Sequence, residues 1–286
     1  MAPEPERLLT TAPLRRRGTR RETLAESGRW RYSVGLGILV SLFSACGDTE
    51  AAPDAAELIP DPVRDLLASP SSGSKDSNPD GAVLAHGDRQ LRRLLADRPA
   101  MALFVREGDR IWIWAANRFA GEGTGFLVEW NPAPPPLEMD ACHTWPTKTQ
   151  RARIQISNRV AKTSGDERRI FEEQWQSLAF EFFNLENTKS FKDVWHDALA
   201  DGMPRHEWIV RNTRLEHAAL RRTINFYMTE WYPWAERTGI GASTPSIWRV
   251  GTHSSYESWI RRYAKTGYLE SWGRIYDERI VPLAGR

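Results

Sequence analysis

The 286-residue chain is 41% hydrophobic and 27% charged, an ordinary globular composition with room for one sizeable core or two small ones. Its formal net charge of +2 is unevenly spread: residues 1–31 hold eight of the 39 Lys and Arg but only four of the 37 Asp and Glu. Without that segment the balance is 31 against 33, a net charge of −2, which speaks against a nucleic-acid partner.

The basic run RRRGTRR at residues 15–21 is followed by an uncharged apolar run, YSVGLGILVSLFSA, at residues 32–45. A basic stretch, an apolar stretch and small residues before a cleavage point form the layout of a signal peptide. The run is shorter than the roughly 20 apolar residues that a membrane-spanning helix requires. The sequence FSAC (Phe43, Ser44, Ala45, Cys46) resembles the lipobox of bacterial lipoproteins, in which small residues precede a cysteine that is lipidated and becomes the new N-terminus; Phe43 stands where the family usually has Leu. The resemblance implies removal of residues 1–45, an acylated Cys46, the membrane as a partner through that lipid, and a location in the cell envelope facing the periplasm or the cell exterior. A free or disulfide-bonded Cys46 after a plain signal peptide is the alternative. With Cys46 acylated, Cys142 is the one thiol left, so no intramolecular disulfide is expected and Cys142 is assigned to packing.

Residues 46–81 are rich in Pro, Ala, Ser, Asp and Gly and almost lack aromatic residues. Such a segment buries too little apolar area to offset its chain entropy and reads as a disordered tether. The remaining residues, 82–286, form one domain without internal repeats. Leu84, Leu91, Leu94 and Leu95 lie at helical spacing and predict a helix that Pro99 stops. MALFVRE (101–107) and RIWIWAA (110–116) read as strands joined at Gly108-Asp109 by a tight hairpin turn, and GFLVEW (125–130) as a third strand. The proline-rich stretch over residues 131–150 reads as a loop, and the alternation at 152–160 as an exposed or edge strand.

Helices follow. Ser164, Gly165 and Asp166 cap one over 167–185, a second covers 191–200, and Pro204 opens a long one that Tyr232-Pro233 ends near Glu230. Shorter helices follow within 255–280. Strands first and helices after predict an α+β fold, a small mixed sheet followed by a helical half. Of the 13 Trp, all but Trp30 lie between Trp112 and Trp272. A glycan-stacking surface is one reading; core positions are the simpler one, as for Trp175, one turn from Phe171 and Leu178.

Two helices carry the candidate site. Over residues 171–188, which include SLAFEFFNLEN (177–187), Glu173, Ser177, Glu181, Asn184 and Thr188 form a polar stripe that a solvated helix face explains. In the next long helix Glu216 projects into an apolar face near Ile209 and Leu220, with Asn212 and Thr223 beside it, so it requires neutralisation, hydrogen bonds, a cation or an Arg or Lys partner. A strand pair, an edge strand, a helix bearing Glu181 and a later helix bearing Glu216 together resemble the layout of the zincin metallopeptidases. Glu181 then takes the place of the general base and Glu216 that of the third ligand, while Phe180 and Asn184 stand where the two histidines of HExxH belong. Zinc catalysis needs nitrogen or thiolate donors and an open position, so the resemblance implies a degenerate, non-catalytic member of a zincin-like arrangement.

HEWIV at 206–210 has the first half of HExxH but Val210 in place of the second His. His143 beside Cys142 reads as a local pair rather than a nucleophile and its base, and His86, His196 and His217 as surface residues. No catalytic residue, cofactor or metal ligand is assigned. The candidate polar site is Glu181, Asn184, Asn212 and Glu216, in a domain that binds or supports an unidentified protein or other envelope partner. The alternative is a hydrolase or metal-dependent variant using the same residues in a cleft.

Overall fold

The computed structural model describes residues 79–135, 140–158, 166–238, 240, 243–251 and 255–284. The readings for the signal peptide, Cys46 and the tether lie outside them, apart from the last few tether residues, which already belong to the first helix. The fold is α+β. α1 spans Pro79–Asp97 and α2 Arg110–Phe119; strands β1 (Val128–Trp130), β2 (Ala141–Thr144) and β3 (Ala152–Ile156) follow, and the rest is helical.

Residues 101–116 contain no hairpin. Pro99–Ala102 form a 3₁₀ turn, and the Ile-Trp-Ile-Trp alternation lies inside α2. Periodicity explains the difference: Ile111, Trp112, Ala115, Ala116 and Phe119 bury one helical stripe, while Ile113 is half exposed. The β-propensity of Ile and Trp is overridden by packing against α1. The two helices cross so closely that a Cβ on Gly87 would stand 2.0 Å from the carbonyl oxygen of Ala116.

The sheet order is β1-β3-β2, with β3 parallel to β1 and antiparallel to β2. The strand expected at an edge is therefore central, and one strand of the sheet comes from the proline-rich stretch read as a loop. β1 lies at one edge, but its backbone is not left bare: Gln90 of α1 accepts from Trp130 N at 3.0 Å, and His86 Nε2 lies 2.9 Å from Val128 O. His86 is thus a buried residue holding helix to sheet, not a surface one. The buried guanidinium of Arg98 donates to Ile156 O at 2.8 and 3.0 Å and closes the end of β3.

Asp166 caps the central helix α3 (Glu167–Glu186), accepting from the backbone N–H groups of Arg168 and Arg169. The capping prediction holds for Asp166. The solvated stripe does not: Ser177, Glu181, Asn184 and Thr188 are buried, and from Ile170 to Leu185 only Glu173 escapes burial. α3 is covered on one side by the sheet and on another by later helices, so its polar residues face protein instead of water.

α4 (Thr188–Ala200) and α5 (Arg205–Phe226) follow, and α5 packs along α3. The predicted stop at Pro233 is not a stop. A π segment, Tyr227–Trp231, carries the chain into α6 (Tyr232–Thr238), and beyond α7 (Tyr256–Tyr263) and α8 (Tyr268–Ile275) a second π segment, Tyr276–Ile280, leads into α9 (Val281–Ala284). Each π segment ends two residues before a proline, Pro233 or Pro282. Proline offers no N–H to the i−4 carbonyl and its ring crowds that group; widening the preceding turn relieves the conflict without breaking the helix. Tryptophans fill the interior as predicted: Trp175, Trp208, Trp231, Trp248 and Trp272 are fully buried, and Trp175 Nε1 donates to Met101 O at 3.0 Å.

Candidate functional site

Polar residues of α3 and β2 meet in the interior, and α5, which packs along α3, buries polar residues of its own. β2 alternates, so neighbouring residues part company. Cys142 pairs in register with Gln155, and its Sγ lies 3.1 Å from Gln155 Oε1; His143 pairs with Ile154 and turns to the opposite, core-facing side, towards α3. Cys142 and His143 are therefore not a catalytic pair.

His143 Nδ1 lies 2.6 Å from Glu181 Oε2, and Trp145 Nε1 donates to His143 Nε2 at 3.1 Å. Because the indole has only a donor, His143 Nε2 accepts and the ring proton sits on Nδ1, from which it is donated to the Glu181 carboxylate. The imidazole is neutral with both nitrogens engaged. Its side chain is 0% exposed and that of Glu181 3%.

Glu216 lies on the same stripe of α5 as Trp208, Asn212, Ala219, Leu220 and Thr223, all of them buried. Packing of this stripe on α3 carries the carboxylate inside, where neither of its oxygens has a hydrogen-bond partner among the described residues. Burial pushes its carboxyl well above the ordinary carboxylate range and the negative charge of Glu181 raises it further; the Trp272 indole opposes them. The expected Arg or Lys partner does not meet Glu216 among the described residues.

Asn184, one turn along α3 from Glu181, is fully buried, and neither its Nδ2 nor its Oδ1 has a partner among the described residues. Asn212 spends its Nδ2 on Trp208 O at 2.8 Å within α5. Glu181 and Asn184 thus share one side of α3, and Asn212 lies one turn from Glu216 on α5, which packs along α3. His143 and Trp145, which the sequence did not assign to the site, complete it. His143 lies on β2 and Trp145 just past its end, a strand hidden in the sequence by the flanking prolines.

A second buried carboxylate, Glu172, has its donors in place: Ser243 Oγ at 3.0 Å and Thr244 N at 2.9 Å, with Trp231 Nε1 donating to the same Ser243. The partly buried Glu186 sits between Arg118 at 3.1 Å and Arg222 at 2.6 Å. Glu216 differs from both in lacking such a partner set.

Among the described residues no three His, Cys, Asp or Glu are grouped so as to hold a metal ion. Of the layout behind the zincin resemblance, the strand pair is replaced by α2, and the strand beside the helix is central. The chain matches no protein-family model, no curated protein and no solved structure. The chemistry of the site therefore rests on its own residues: an imidazole donating to one carboxylate, and a second carboxyl group whose burial disfavours its charged form.

Proposed function

We propose that the chain is an extracytoplasmic lipoprotein, anchored through an acylated Cys46, whose α+β domain is a non-catalytic binding or structural component of the cell envelope. The apolar run over residues 32–45, ending in Ser44-Ala45-Cys46, supports the anchor. Closure of the polar cluster supports the absence of catalysis. General acid–base chemistry needs a reacting group within hydrogen-bond reach, and a cluster containing a fully buried Glu216, with His143 0% and Glu181 3% exposed, presents no face to a substrate. Glu181, His143 and Glu216 then act as a polar tie between sheet, central helix and C-terminal helices.

Metabolic labelling with a fatty-acid analogue tests the anchor. Label in the wild-type protein and none in Cys46→Ala is the expected result; equal labelling, or none in either, overturns it.

A metal-dependent hydrolase is the second reading, favoured by the fully buried Glu216, whose carboxylate oxygens have no partner among the described residues. Elemental analysis of the full chain and of Glu216→Gln separates the two. A stoichiometric metal lost in the variant supports the hydrolase; a metal-free protein in both cases supports the structural tie.

A further inference from the structure

The apolar side chains that the core leaves uncovered are unevenly placed. Nine large ones are exposed among the described residues, and seven of these lie on α1, on the connection to α2, on α2 itself, or on the π segment that packs against α2 and the residue after it, Tyr232. Val210 on α5 and Val281 on α9 are the other two. Single exposed apolar residues are ordinary, but such a group on one part of a surface marks contact with another body.

Contacts between the elements bring the group together. Arg110 of α2 pairs with Glu230 of the π segment, so the turn of α2 that carries Ile113 lies against the stretch that carries Met228 and Tyr232. Phe104 meets Phe171 edge-on at 5.0 Å, and Phe171 lies 5.3 Å from Trp231 of the same π segment; the connection before α2 therefore reaches the same place. Val83 and Leu84 are exposed for another reason. They extend, by one turn, the α1 stripe that buries Gly87, Leu91 and Leu94. Gly87 already faces Ala116 and Ala120 at the end of α2, so the stripe runs on past its neighbour and stays exposed.

We propose that this face docks on a lipid bilayer, the one to which the chain is anchored; the inference rests on the lipid-anchor reading of Cys46. The occupant follows from where the chain enters the domain. α1 begins at Pro79, four residues before Val83, so the residues that join the domain to Cys46 end on this face. Pro79 is 33 residues beyond Cys46, a span of at most about 120 Å even when fully drawn out. An anchored domain thus stays beside the bilayer and is held to it from its apolar end.

Charge selects no other partner for this face. Residues 79–122 hold seven Arg and six Asp or Glu, close to balance, with Arg110 paired to Glu230 and Arg92 to Glu107, so apolar area supplies the attraction. Docking sinks Leu103, Ile113 and Met228 to the boundary between headgroups and acyl chains, as the apolar side of an interfacial helix does. The lipid on Cys46 holds the chain at the membrane, and the docked face orients the domain on it.

The test is fluorescence quenching on the full-length protein in vesicles of phosphatidylethanolamine and phosphatidylglycerol. Ile113→Cys and Val210→Cys carry the same fluorescent label; Cys142 is buried, and Cys46 is common to both variants. Nitroxide-bearing acyl chains should quench the label at 113 and leave the label at 210 bright. Equal quenching at both positions, or none at either, overturns the proposal. Self-quenching at 113 that grows with protein concentration in the absence of vesicles would assign the face to a second copy of the chain and overturns it too. Should Ile113→Cys not fold, Met228→Cys, 53% exposed, takes the label in its place. Vesicle flotation separates this proposal from the anchor: a protein that floats with the label at 113 unquenched sinks the docking and leaves the anchor standing, whereas quenching at 113 in a protein without acyl label sustains the docking after the lipid reading has failed.

Discussion

His143 Nδ1 and Glu181 Oε2 stand 2.6 Å apart with both side chains shut away from solvent, and Trp145 holds the far side of the imidazole at 3.1 Å. Removing the middle member of this chain differs from removing its end. His143→Ala leaves a buried carboxylate without its donor and is expected to lower stability by about 3–5 kcal/mol. Trp145→Phe removes one neutral hydrogen bond, about 1 kcal/mol. Urea denaturation of both variants at one pH checks the order; equal losses would show that Glu181 finds another donor.

Gly87 and Gly273 both sit where a Cβ has no room, but against different neighbours. At Gly87 the obstacle is the backbone carbonyl of Ala116, 2.0 Å away, which moves only if α1 and α2 separate; at Gly273 it is the end of the Arg205 guanidinium, also 2.0 Å away, which can swing aside. Gly87→Ala should therefore cost about 3 kcal/mol or more, at or above the upper end of overpacking effects. Gly273→Ala should cost about 1 kcal/mol or less, chiefly through the solvent-exposed Arg205–Asp277 pair. Thermal unfolding of the two alanine variants measures the contrast, and a larger loss at Gly273 would refute it.

Ser243 serves two buried groups at once, accepting from Trp231 Nε1 and donating to Glu172. Ser243→Ala strips a partner from each and should destabilise by about 1–3 kcal/mol. Because Thr244 N also binds Glu172, the chain around 243–251 should loosen too. Limited proteolysis resolves this: faster cleavage near residues 243–251 in the variant is expected, and an unchanged pattern would place the segment's anchor elsewhere.

Burial lowers the His86 imidazole below its ordinary value of 6.5, against the opposing pull of its bond to Val128. The native state thus prefers the neutral ring. Its contribution is complete above that value and lost as pH falls towards the lowered one. His86→Gln, which keeps an N–H for Val128 O, should remove this part of the acid sensitivity. Comparing unfolding curves near pH 7 and near pH 5 tests it; the same acid-side loss in the variant would assign that loss to other groups.

Much of the fold was legible because the deciding forces were local. α3 and α5 begin where a capping Asp166 and a Pro204 put them, α4 within a few residues of its expected start, and the tryptophans lie in the core as their apolar spacing required. Glu216 announced itself as a carboxylate on an apolar stripe, a violation of burial rules visible without any partner.

Other features depended on neighbours far along the chain. Whether Ile-Trp-Ile-Trp becomes strand or helix was decided by the close passage of α1 at Gly87, and whether the α3 stripe is wet or dry by the elements that cover it. β2 exists because β3 offers it hydrogen bonds, in spite of the prolines around it. The sequence by itself determined the amphipathic periods, the capping residues and the presence of a misplaced carboxylate, since each is a property of residues within one or two turns. Only the tertiary structure decided that Glu181 meets His143, and that Glu216 is enclosed without an arginine partner among the described residues, because the first contact joins segments 38 residues apart and the second depends on packing of the whole core.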